Sequence, residues 1–143
     1  MCSSDLTIQQ TQTTSFKKEL YQGIHDLETD DIYIALYTAN ASLNQDTTVY
    51  SSTNEVTDIG YTAGGQQLLS PVISSSGYTA YVTFANPSWS GAITARCALI
   101  YNASKANRAI AVLDFGSNKT STTTFTITMP ADTADSALIR SSN

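Results

Sequence analysis

The sequence predicts a mainly β chain: an antiparallel β-sandwich, jelly-roll-like, with one α-helix near the N-terminus. Three observations predict it. From Asp31 onward, apolar residues recur at every second position in short runs. Turn-rich clusters such as "NASKANR" and "GSNKTS" separate those runs. Only "SFKKELYQGIHDLE" carries a helical period. Seven or eight short strands behind a single helix suit two packed antiparallel sheets.

The elements follow in order. Residues 1–14 are polar, with Gln and Thr interleaved, and read as a flexible arm ahead of one domain over 15–143. Phe16, Leu20, Ile24 and Leu27 then line one helical face, capped at Thr14 or Ser15 and ending near Asp30. "DIYIALYTA" is apolar or aromatic on both faces, so it is expected between two layers. "TTVYSS" reads as a short edge strand. "QQLLSPVISSS" carries Pro71, which belongs at an edge or bulge. "YTAYVTFA" alternates Tyr78, Ala80, Val82 and Phe84. "GAITARCALIYN" aligns Ile93, Ala95, Cys97, Leu99 and Tyr101 on one face. "NRAIAVLDFG" sets Ala109, Ala111, Leu113 and Phe115 against Ile110, Val112 and Asp114. "STTTFTITMP" and "SALIRS" complete the strands, and "NPSWSG" reads as a turn.

Composition narrows the function. The chain of 143 residues has net charge −5 with seven basic residues, and shows no basic stripe. Nucleic-acid binding is therefore not expected. Charged residues are only 13% of the chain, so much of its polar surface is hydroxyl. Hydroxyls cost less to bury against another protein than charges do. The N-terminal residues lack a basic start and an apolar core, so no signal peptide or membrane segment is expected. Cys97 is expected to be a buried thiol and Cys2 to lie in the arm. The sequons at Asn40, Asn102 and Asn118 are set aside as chance in a Thr/Ser-rich chain.

"GYTAGGQQL" has the glycines of a phosphate loop but no Lys after them. It reads instead as a structural corner of Tyr61, Gly64 and Gly65, the glycines at positive φ. His25, the only histidine, reads as a surface residue at the helix end. Asp26, Glu28, Asp30 and Asp31 read as a solvated helix terminus, since a calcium loop would need a turn glycine and a closing glutamate. Asp114 is the one strand acid that an enzyme reading could use. No catalytic residue, cofactor or metal ligand is assigned. Phe16, Leu20 and Trp89 are the candidate partner contacts. Trp89 also supports a weaker glycan-binding alternative.

"TSFKKELYQGIHDL", "DIYIALYTANASL", "TNEV…GYTAGGQQL" and "NPSWSGAITARCALIYNASKANRAIAVLDFGSNKTS" together resemble a family of small tailed-bacteriophage virion structural proteins. The likeness runs from about Ser15 to Arg140 in the same order. It implies a non-enzymatic subunit made in the bacterial cytoplasm and carried in the virion. The expected role is a capsid cement or decoration protein. Its expected partners are the major capsid protein and itself, as a dimer more than a trimer. A tail- or fibre-associated, receptor-binding subunit is the alternative. No catalytic motif comes with the resemblance.

Overall fold

The computed structural model describes residues 9–129 and 137–141. The fold is mainly β, 43% strand, with one short N-terminal helix. With strands numbered in chain order, the largest sheet runs Gln9–Gln12 (β1), Arg108–Thr120 (β8), Thr94–Asn102 (β7), Ile32–Tyr37 (β2), Gln66–Gln67 (β3). A second sheet runs Ile139–Ser141 (β10), Thr79–Thr83 (β5), Val72–Ser76 (β4). Ser88–Ser90 (β6) and Thr124–Thr126 (β9) form a third. All pairings are antiparallel. The strand order does not show a jelly roll.

The five-stranded sheet is covered on both faces, which is why β2 lacks a polar side. Ile32, Ile34 and Leu36 enter the main core, with Phe16, Trp89, Ile93, Leu113 and Leu138. Ala35 and Tyr37 enter a second cluster, with Leu99, Tyr101 and Val112, under Leu43 and Tyr50. Two bulges redistribute β7 and β8. The first lies between Ala95 and Cys97. It leaves Ile93 and Ala95 in the main core but moves Cys97, Leu99 and Tyr101 to the second cluster. The second, beside Ile100 and Tyr101, puts Ile110 in the main core and Ala109 in the other. The first is an offset of three residues and the second of one; an odd offset reverses the alternation. The single-face expectations for both strands are corrected accordingly.

The helix is shorter than its apolar period. It covers Thr14–Tyr21 (α1). Thr13 caps it, accepting from Phe16 N at 3.2 Å. Gly23 ends it at φ 71, with Ile24 N bonding Glu19 O and Gly23 N bonding Leu20 O. That is a Schellman ending, which glycine favours. Leu27 is buried all the same, carried by irregular chain. Residues 9–12, assigned to the arm by sequence, pair with β8 as an edge strand. Residues 1–8 lie outside the described residues.

Other boundaries also move. "NPSWSG" contains β6, not only a turn, and β8 continues through the "GSNKT" read as a turn. "TTVYSS" makes a single bridge at Val49 instead of a strand. Cys97 is disulfide-bonded, which corrects the free-thiol expectation; its partner lies outside the described residues. No helix is long and apolar enough to cross a membrane among the described residues.

Candidate functional site

The glycine corner holds an anion of its own. Gly64 and Gly65 sit at φ 95 and 78. Gly64 N donates to Glu55 Oε2 at 2.8 Å, and the Tyr61 hydroxyl donates to the same oxygen. The Tyr50 hydroxyl donates to Glu55 Oε1 at 2.7 Å. Three donors converge on one buried carboxylate. An acceptor-only group suits such a set. Tyr61 oxygen also accepts from Leu36 N at 2.9 Å, tying the corner to β2. Tyr101 donates to Gly64 O at 2.6 Å. A side chain at Gly65 would put Cβ 1.8 Å from Ile34 O, so the corner lies directly on the sheet. The loop that resembles a phosphate cradle is filled by Glu55.

This cluster holds its phenols in the neutral form. Burial, then hydrogen bonding to Glu55, raises the ionisation of Tyr61 and Tyr50 well above the ordinary phenol range. Burial and the Glu55 charge do the same for Tyr37, and push Tyr101 up to about 12. Tyr50 also stacks on Tyr101 with ring centroids 4.7 Å apart.

A second polar cluster joins α1 to the end of β7. The His25 side chain is wholly shielded, with Nε2 2.8 Å from Glu19 Oε1. Asn102 Nδ2 lies 3.0 Å from His25 Nδ1 and 2.8 Å from Asp30 Oδ2. An amide nitrogen only donates, so Nδ1 accepts and Nε2 carries the proton to Glu19. Arg108 and Lys105 complete the cluster on Glu19 and Asp30, at 2.8 and 3.1 Å. Burial raises the Glu19 and Asp30 carboxyls, but these bonds outweigh it and hold both below their ordinary range. The surface reading of His25 is thus corrected. So is the helix-end reading of the acids: Asp30 is paired, and Asp26 Oδ1 accepts from Glu28 N and Thr29 N in a turn.

The remaining candidates separate. Asp114 is buried, its Oδ1 accepting from Gly116 N at 2.9 Å and lying 3.6 Å from Arg96 Nε. Among the described residues, no three His, Cys, Asp or Glu side chains are placed to hold a metal. Phe16 and Trp89 pack inside this chain, Trp89 between Tyr61 and Phe125, so neither presents a face to a partner or a sugar. That corrects both as contacts. Leu20 is partly buried and lines a groove of about 430 Å³ with Leu27, Ile73, Val82 and Ile139.

The surface that faces outward is the β4–β5 hairpin. Only its base, at Val82 and Thr83, is buried. Val72, Ile73 and the turn residue Tyr78 are exposed, Tyr78 to 88%. Leu69 before the hairpin is exposed too. Gly77, at φ 59, takes the first central position of the two-residue turn. No Asp, Glu, Lys, Arg or His occurs between Asp58 and Arg96. Sequence reasoning missed this uncharged hairpin, although the gap in charge was there to be counted. It also missed Glu55, whose signal was a lone acid set among tyrosines beside a glycine pair.

The chain matches no protein-family model, no curated protein and no solved structure.

Proposed function

We propose that this chain is a non-enzymatic structural subunit of a tailed-phage virion, acting as a cement protein on the mature capsid. The observation that carries this is the uncharged β4–β5 hairpin, which leaves Val72, Ile73 and Tyr78 exposed. The quoted motifs support it. "IALYT" lies in β2, "EV…GYTAGG" is the Glu55 corner, and "ARCALIYN…NRAIAVLDFG" is the β7–β8 pair. They are the scaffold that presents the hairpin. Within each polar cluster the groups bond to one another, and the His25 ring is shielded from solvent, which favours a holding role over catalysis.

A neutral contact rests on apolar burial and backbone pairing. Many copies on a lattice multiply a modest affinity. Binding the expanded shell but not its precursor stabilises the expanded state by linkage. Purified shells lacking the protein provide the test. Added protein is expected to bind mature shells, to ignore unexpanded ones, and to raise resistance to heat. Binding should survive about 1 M salt, where charge effects are screened beyond about 3 Å. Failure to bind mature shells, or labelled protein found only on tails, overturns the proposal; the second result gives a tail subunit.

A further inference from the structure

We propose that the free edge of β4 pairs antiparallel with β4 of a second copy, joining two three-stranded sheets into one of six strands. This goes beyond the virion proposal and does not rest on it. β4 is the last strand of its sheet among the described residues, paired only with β5. Among the described residues its backbone over Val72–Ser76 pairs with no strand but β5, and Pro71 stands just before it. Proteins protect such edges with lysine, proline within the strand, or a bulge. β4 carries none of these: its sequence is Val-Ile-Ser-Ser-Ser.

Charge selects the occupant. The whole chain carries −5, so two copies repel wherever their charged surfaces meet. The β4–β5 hairpin carries no charge of its own, and Arg140 and Asp26 stand on the β10 side, away from the free edge of β4, so copies can meet at that edge without the penalty. The strand is also self-complementary. A two-fold axis at Ser74 sets Val72 opposite Ser76 and Ile73 opposite Ser75, a branched side chain facing a small hydroxyl each time. Such isologous pairing is the usual route to a closed dimer. A five-residue pairing is small against about 800 Å² per partner. The exposed Leu69 and Tyr78 extend it, and a micromolar dimer is expected.

Sedimentation velocity from about 1 to 200 μM, a range that brackets micromolar affinity, gives the first test. The wild-type protein is expected to pass from monomer to dimer. Val72→Lys should weaken the dimer by about tenfold or more, because it sets a lysine charge into the seam against Ser76 of the other copy, with no acid to pair it. Ile59→Lys makes the same charge change on a fully exposed side chain outside β4, and should leave the dimer intact. Hydrogen exchange on the wild-type chain needs no variant to fold. Amides of residues 72–76 should gain protection as concentration rises. A monomer throughout, equal weakening by both lysines, or an unaffected Val72→Lys dimer overturns the proposal. So does β4 protection that arises only when mature shells are added, which would make capsid protein the occupant.

Discussion

Replacing Glu55 by Gln tests whether the corner is held by a carboxylate rather than by shape alone. The side chains are nearly the same size, so packing is preserved. Bonding is not. Oε2 takes two donors, Gly64 N and the Tyr61 hydroxyl, and Oε1 takes one from Tyr50. Gly64 N cannot turn, so the amide oxygen must occupy the Oε2 position. The amide nitrogen then faces Tyr50, whose hydroxyl must rotate to accept. All three bonds lose their charge assistance, worth about 1 kcal/mol each from the difference between charged and neutral bonds. Against that, the glutamine no longer has a buried charge to desolvate, an effect of opposite sign. A net loss of about 1–3 kcal/mol is expected, or roughly 3–9 °C in Tm for a chain of this size. Urea and thermal unfolding measure it. Pairing the substitution with Tyr61→Phe in a double-mutant cycle should give a coupling of about 1 kcal/mol or more. An unchanged or raised Tm for Glu55→Gln would refute the reasoning, because burial would then outweigh the three bonds.

Two further outcomes follow from the same corner. Tyr37, Tyr50, Tyr61 and Tyr101 have ionisations raised in the folded state. A raised group stabilises the fold below its unfolded value and loses that contribution as pH climbs toward the folded one. Stability should therefore fall above about pH 10. Phenolate absorbance of these four should rise together with unfolding, whereas early ionisation of the folded chain would contradict it. Gly65→Ala should cost more than about 3 kcal/mol, since left-handed strain of about 1–2 kcal/mol adds to a collision with the Ile34 carbonyl. Gly77→Ala, at φ 59 with nothing within 4 Å of its Cβ, should lose only the strain. Equal losses measured by urea unfolding would show that close approach is irrelevant.

Alternation was legible wherever a strand is long and buried, as in β2, β7 and β8. It failed at the two register shifts, because an odd offset reverses faces without changing composition. The helix was overread because Ile24 and Leu27 keep the apolar period past Gly23, and Leu27 reaches the core by another path. β6 was missed because three residues are too few to show a period, and Asn, Pro, Ser and Gly around Trp89 read as a turn. Gly64 and Gly65 were legible as a corner. The carboxylate they hold was not, although Tyr50, Tyr61 and Gly64 all lie within nine residues of it. The His25 cluster could not be read at all, since Asn102 lies 77 residues away. Partners that meet only in space leave no local pattern.

The two ends of the described fold touch. Gln10 Nε2 donates to Ala137 O at 2.8 Å, and Gln12 Nε2 to Arg140 O at 2.7 Å. β1 must also wait for β8, about a hundred residues later in the chain. During synthesis, then, the first strand emerges long before anything it can bond to. The β7–β8 hairpin is the earliest large unit that can close locally, and the ends join last. Such late, distant closure makes for slow folding. Until it happens, the β8 edge stands open, which exposes a crowded polysome to premature strand pairing between neighbouring nascent chains.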